Sequence, residues 1–250
     1  RFKVKFTGVD IVPGASALID TLRLYKDEEE FASMARAQAI TDAAFEHILT
    51  VLHPNMTEIE VALELEFFMR KMGSEGIAFD TIAVSGTMSA RPHGEPRPVK
   101  LEKGFLTMDY GARVDGYCSD MTRTVVLGKA DAEIKKVYNT VLEAQTTAID
   151  ALQAGLSCRQ ADKIARDIIN AAGYEGCFGH SLGHGVGVEI HEWPRFAKGC
   201  TTITRPGMVV TVEPGIYIAG ECGVRIEDMV VVTENGYENL TSSKKELIIL

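Results

Sequence analysis

Apolar positions along the chain follow a helical period in some stretches and short continuous runs in others. The first 26 residues show little periodicity. Asp27 followed by Glu30 has capping-box spacing, and Phe31, Met34, Ala35, Ala39 and Ile40 follow at helical intervals, predicting a helix that Pro54 ends. Thr57 with Glu60 repeats the cap and leads a second helix carrying Ile59, Leu63, Phe67 and Met69 as far as Gly73. Phe105–Tyr110 and Thr122–Leu127 read as strands joined by a turn holding Gly111 and Gly116. Asp131 opens a long helix to about Ala154, and another runs from about Cys158 to Ala172. The last third returns to strands, Met208–Val212, Ile216–Ile218 and Met229–Thr233, with turn signals at Pro214-Gly215 and Glu221–Gly223.

The order helix, helix, β-rich therefore occurs twice, dividing near residue 128. In the first half, Lys103-Gly104 and an apolar run reach Asp109, eleven residues before Asp120. In the second, Pro206-Gly207 and another apolar run reach Glu213, fourteen residues before Glu227. A duplicated αβ unit would join its sheets into one curved sheet with helices outside, and the four carboxylates would meet near the pseudo-twofold axis. No linker or low-complexity stretch interrupts this pattern, so a single domain in two halves is expected.

Composition narrows the function. The chain has 250 residues, 46% of them hydrophobic and 24% charged, ordinary for a soluble globular protein. A net charge of −9 without any Lys/Arg-rich run argues against nucleic acid or an anionic membrane as partner. No apolar run approaches the roughly 20 residues that span a bilayer. Five scattered cysteines with no C-x-x-C pair predict reduced thiols and a cytoplasmic location.

The acidic excess has a second reading. One strand-end Asp, such as Asp109 before Gly111, more often caps a turn than holds a ligand. Four such acids in symmetric places could not share an interior unneutralised, and Arg225 is the only basic residue near in sequence; metal is the better rescue. The densest signal is His180-Ser181-Leu182-Gly183-His184-Gly185-Val186-Gly187-Val188-Glu189-Ile190-His191-Glu192, which gathers three of the six histidines into twelve residues. Its glycines let the backbone approach a ligand closely, so His184 can reach a metal while His180 and His191 flank it. His47 and His53 read as ordinary helix histidines.

This segment resembles the signature of the proline-peptidase and methionine-aminopeptidase family, the pita-bread metallopeptidases. The resemblance continues through Met108-Asp109-Tyr110-Gly111, Tyr117 to Arg123, Val212-Glu213-Pro214-Gly215 and Val224-Arg225-Ile226-Glu227-Asp228, in unbroken order over roughly residues 25 to 250. It implies an α+β pita-bread fold with pseudo-twofold halves at about 26–128 and 129–250, and five metal ligands, Asp109, Asp120, His184, Glu213 and Glu227, none substituted. His180, Arg225, the run His191-Glu192-Trp193-Pro194-Arg195 and the run Arg91-Pro92-His93-Gly94 are similar to the proline-specific branch of prolidases and aminopeptidases P. That branch carries an N-terminal accessory domain. Residues 1–25 look like its tail, and the chain opens at Arg1 without Met, so a catalytic domain over 26–250 taken from a longer protein is expected.

The resemblance also implies chemistry. Two divalent ions, with Asp120 and Glu227 bridging them, would share a hydroxide that attacks the carbonyl of an Xaa-Pro bond in a small peptide. Glu213 would pass a proton to the leaving nitrogen, His191 would donate to the oxyanion, and His93 and His180 would orient the substrate. Arg225 would pair with a carboxylate beside the metals or on the substrate, or brace the strand of Glu227. Four carboxylates and one imidazole favour manganese or cobalt, with iron or zinc as alternatives. A homodimer of the full-length protein is a further expectation. Prolidase and aminopeptidase P are not distinguished at this level. Methionine aminopeptidase, a metal-free creatinase-type hydrolase and a non-enzymatic binding module of the same fold stand as rivals, the last two having usually lost ligands that this chain keeps.

Overall fold

The computed structural model describes residues 14–250. A helix that the apolar pattern did not announce, α1 (Ala15–Arg23), precedes Asp27; the rest of the expected N-terminal tail, residues 1–13, lies outside the described residues. Helices α2 (Glu28–Val51) and α3 (Glu58–Lys71) follow, each closed by a complete capping box, Asp27 with Glu30 and Thr57 with Glu60. The first half then forms β1 (Gly76–Ile77), β2 (Ile82–Ser85), β3 (Gly104–Tyr110), β4 (Ala112–Val114), β5 (Tyr117–Cys118) and β6 (Met121–Leu127). The second half repeats the plan with α4 (Ala132–Asp150) and α5 (Cys158–Ala171), then β7 (Gly183–Gly185), β8 (Glu192–Phe196), β9 (Val209–Val212), β10 (Gly215–Ile218), β11 (Cys222–Arg225), β12 (Asp228–Thr233) and β13 (Gly236–Asn239).

Strand alternation sorts the side chains. Leu106, Met108 and Tyr110 of β3, with Met121 and Val125 of β6, pack beneath α2 and α3 against Phe45, Ile48, Val61 and Leu65. Val210 and Val212 of β9, with Val230 and Val232 of β12, pack beneath α4 and α5 against Val141, Ala144, Ala161 and Ala165. The period of two sends the intervening Asp109, Thr122 and Thr211 to the other face. Strands run in the order β2-β3-β6 in the first half and β13-β12-β9-β7-β8 in the second. The halves are sewn together between β6 and residues 225–228: the Thr124 hydroxyl donates to the Arg225 carbonyl at 2.8 Å, and the Glu227 amide donates to the Thr122 carbonyl at 3.1 Å. Arg123, 1% exposed, crosses that seam and donates to Asp228 Oδ1 at 2.8 Å and the Ser243 carbonyl at 2.8 Å.

The helix faces correct the sequence reading. Ala35 and Ala39 are exposed, and α2 buries Ser33, Met34, Ala37, Gln38, Thr41 and Ala44. On α3, Ile59, Leu63 and Phe67 are 36%, 56% and 68% exposed, while Val61, Leu65 and Met69 face the core. Helix α5 is an internal comparison, since it has the same 14-residue length and occupies positions 100 higher. There the matching exposed positions hold Arg159, Lys163 and Asp167, so the fold does not require an apolar stripe. Among the described residues no helix is long and apolar enough to cross a membrane, and all five cysteines are free thiols.

Candidate functional site

One cavity of about 240 Å³ brings together His93, Asp109, Asp120, His180, His184, His191, Glu213, Arg225 and Glu227, the nine residues singled out from the sequence. Asp109 comes from β3, opposite Thr122 in the register, and Asp120 lies at the entry to β6. Glu213 follows β9, its amide donating to the Leu182 carbonyl at 2.8 Å. His184 sits in β7, where its amide donates to the Thr211 hydroxyl at 3.1 Å. The strands approach so closely that a Cβ on Gly183 would come 1.9 Å from the Thr211 carbonyl oxygen, which is why glycine precedes this histidine.

The acids are poorly compensated. Burial, then the charges of Glu227, Asp109 and Glu213, push the Asp120 carboxyl well above the usual range. Burial, then Glu213 and Asp109, do the same to Glu227, and burial raises Glu213 to about 8 against the opposing pull of Arg225. Asp109 Oδ1 is buried without a hydrogen-bond partner. His184 is held neutral, its pKa lowered by burial to about 4. Its Nδ1 lies 3.0 Å from the Gly185 carbonyl and must donate there, so Nε2 carries a lone pair. That lone pair faces Glu213 Oε1 at 3.3 Å and Asp120 Oδ2 at 3.6 Å, an arrangement that needs a proton or a cation between the groups. Ligand atoms of Asp120, His184 and Glu227 all lie within 4.8 Å of one another. A divalent cation resolves each of these conflicts at once, and the donor set fits one.

A second network lies behind the acids. Arg225, 2% exposed, pairs with Asp109 Oδ2 and donates to Thr122 Oγ1 at 2.9 Å, Tyr217 Oη at 2.9 Å and the Pro92 carbonyl at 3.1 Å. Of the roles open to it in the sequence, the geometry places it on a carboxylate of the cluster. His180 Nδ1 donates to the Ser181 carbonyl at 2.8 Å, so its Nε2 accepts from Tyr217 Oη at 2.9 Å. With both nitrogens engaged, His180 offers the cavity only its ring carbons. Tyr217 and the hydroxyls of Thr122, 2.7 Å from Glu227 Oε2, and Thr211, 3.3 Å from Glu213 Oε1, were not anticipated. Strand alternation could have found the two threonines, each two residues from an inward acid; nothing in the spacing marks Tyr217.

The rim carries two imidazoles and a guanidinium. His93 lies on a loop pinned at its far end by Glu58, whose Oε1 accepts from Arg97 Nη2 at 2.7 Å. His191 lies between β7 and β8, its ring centroid 4.4 Å from that of His184. Arg195, also lining the cavity, has no carboxylate partner among the described residues.

Comparison with known proteins follows the same lines. The family model for metallopeptidase family M24 matches residues 32–234. The Xaa-Pro dipeptidase of Pyrococcus furiosus is 44% identical over 232 residues, 92% of this chain and 67% of that protein. The structure of the Xaa-Pro dipeptidase from Bacillus anthracis aligns with TM-score 0.92 at 51% identity, covering 94% of this chain and 66% of the other. That of the X-Pro aminopeptidase from Thermotoga maritima aligns with TM-score 0.91 at 41% identity, covering 94% and 67%. This chain thus spans about two thirds of the length of these relatives. With four acids and an imidazole turned into one cavity beneath two αβ halves, the chain belongs to metallopeptidase family M24 and has its open, curved-sheet pita-bread fold.

Proposed function

We propose that this protein hydrolyses the Xaa-Pro bond of dipeptides, with Asp109, Asp120, His184, Glu213 and Glu227 holding two divalent cations, manganese or cobalt by the character of the donors. The observation that carries the reading is the neutral His184 Nε2 turned toward two carboxylate oxygens at 3.3 and 3.6 Å, beside a buried Asp109 oxygen without a partner. Ions held there would supply Lewis acidity and a nucleophile competent near neutral pH.

The chain's own residues supply the rest. Glu213, at the cavity edge, can accept a proton and return it to the proline nitrogen, a very poor leaving group unless protonated. Partial desolvation lowers the pKa of His191, and its imidazole can donate an N–H to the carbonyl oxygen as it becomes tetrahedral, worth typically a few kcal/mol. Phe79, Ile82 and Ile190 give the cavity apolar walls for a pyrrolidine ring. The unpaired Arg195 offers a guanidinium to a free carboxylate, which a dipeptide carries on the proline itself and a longer peptide carries only further along its chain. Relatives named Xaa-Pro dipeptidase support this choice.

The test is a metal-reconstituted assay of the full-length protein on Gly-Pro, a Gly-Pro tripeptide and Met-Ala-Ser, with elemental analysis. Gly-Pro should be cleaved fastest, and Arg195→Met should raise its KM. Faster tripeptide cleavage would make the protein an aminopeptidase, cleavage after Met a methionine aminopeptidase, and absence of bound metal would end the reading.

A further inference from the structure

His191 is an exposed member of the cavity, as are His93 and Arg195, and the structure holds its loop from beneath. Glu192, next in sequence, turns its carboxylate inward, with its side chain 5% exposed. Glu192 Oε1 accepts the Glu189 amide at 3.1 Å, so the loop is wrapped over the carboxylate. A Cβ on Gly187 would come 2.5 Å from Glu192 Oε2, so the loop backbone lies directly on that group. Oε2 in turn meets Lys26 Nζ at 3.1 Å, whose side chain is 2% exposed. Lys26 is itself fixed from two directions. Its Nζ donates to the Arg23 carbonyl at 2.7 Å, at the end of α1, and its amide donates to the Gly207 carbonyl at 3.3 Å, in the turn before β9. A buried lysine and glutamate are costly to keep unless each satisfies the other. This pair lies 166 residues apart in sequence, and its charges take no part in the acid cluster.

We propose that Lys26 and Glu192 form a clamp that sets the position of His191, making both positioning residues for peptide hydrolysis and coupling the segment around α1 to the cavity. The inference rests on the peptidase reading, in which His191 meets the reacting carbonyl. Without the ammonium, the Glu192 carboxylate is driven toward water, releases the Glu189 amide, and the loop carrying His191 loses its floor. The metal ligands, on β7 and in the acid cluster, are left in place.

The test uses the full-length, metal-loaded protein with Lys26→Met, Glu192→Gln and Lys26→Arg, each with and without His191→Ala. Hydrogen exchange at the amides of 187–192 should speed up by at least about tenfold in Lys26→Met and Glu192→Gln. Their kcat on Gly-Pro should fall roughly 10- to 100-fold, as expected for a misplaced catalytic group, with KM changed by less than about threefold. Metal content should be unchanged, Lys26→Arg should recover most of kcat, and in the His191→Ala background neither substitution should lower kcat further. Unchanged exchange, unchanged kcat, or an equal fall in the His191→Ala background would overturn the clamp. If Lys26→Met fails to fold, Glu192→Gln decides by the same readings. If the wild-type protein cleaves no Xaa-Pro peptide, the functional reading fails, while the exchange experiment still decides whether Lys26 holds the loop.

Discussion

Replacing Glu227 by Gln should make the metal-free protein more stable while ending metal binding. Glu227 is 1% exposed, and its ligand atom lies within 4.8 Å of those of Asp120 and His184. Two unit negative charges 4.8 Å apart repel by about 3 kcal/mol at an effective dielectric constant of about 20. Burial adds to that penalty, and partial protonation of the cluster relieves part of it. The net gain in the metal-free variant at neutral pH is therefore on the order of 1–3 kcal/mol, since Gln keeps the shape and still meets the Thr122 hydroxyl. For a chain of this size each kcal/mol moves the melting midpoint by about 2–4 °C. The sign with pH follows from a folded pKa above the unfolded value. The native wild type then holds more protons than the unfolded chain, so its metal-free stability falls as pH rises above about 4.5, and the variant should show a shallower fall. Adding Mn²⁺ stabilises the wild type by mass action and leaves the variant unmoved, reversing the order. Urea melts in chelator and in metal, at about pH 5 and about pH 8, test this alongside metal analysis. A metal-free variant less stable than wild type at the higher pH, or one that still binds two ions, would refute the reasoning.

Other perturbations probe other parts. Glu58→Gln removes a carboxylate that accepts from the Ser85 amide and hydroxyl and from the Arg97 amide, Nε and Nη2, contacts that hold its pKa below the ordinary value despite burial. It should cost about 2–3 kcal/mol near neutral pH; because the folded pKa is depressed, the wild type's advantage should vanish as pH falls through it, read by acid titration of circular dichroism. The triple substitution Ile59→Arg, Leu63→Lys, Phe67→Asp, which copies the second half's helix, should change stability by less than about 0.5 kcal/mol per site in urea melts. A large loss would mean that the stripe supports the fold. His191→Ala should keep full metal content and lower kcat roughly 100-fold; parallel loss of metal would instead make His191 a ligand.

What was legible in the sequence depended on the range of the interactions. Capping boxes at Asp27 and Thr57 are three-residue events and were readable, as was the N-cap at Asp131, whose side chain accepts the Ile134 amide at 2.9 Å. The inward acids were readable because an apolar strand makes a carboxylate conspicuous twice over. Which face of a helix is buried is a tertiary question: Ile59, Leu63 and Phe67 obey the helical period as well as Val61, Leu65 and Met69 do, and only the sheet decides between them. Short polar strands such as β4, β5 and β8 left no run to detect. The partner of Arg225 is 116 residues away, so its assignment to Asp109 needed the two halves brought together.

The repeated element order supplies the acids symmetrically but not their complements, and this asymmetry carries the final prediction. Val84 in β2 lies opposite Thr107 of β3, and His184 in β7 bonds through its amide to Thr211, just as near Glu213 as Thr107 is to Asp109. The second half thus offers an imidazole where the first offers a valine. The first half is compensated differently, by Arg225 on Asp109, so on the proposed two-ion reading an ion held by Asp109 would meet a carboxylate already partly neutralised and no imidazole. An ion held by His184 and Glu213 would meet a neutral nitrogen and an acid without a guanidinium bonded to it. The two positions should therefore bind unequally, the His184 side tighter. Titration of the metal-stripped protein by calorimetry should resolve two steps, and Asp109→Asn should remove only the weaker one. A single step of two equal ions, or loss of both in Asp109→Asn, would show that the cluster binds as one unit and that Arg225 does not divide it.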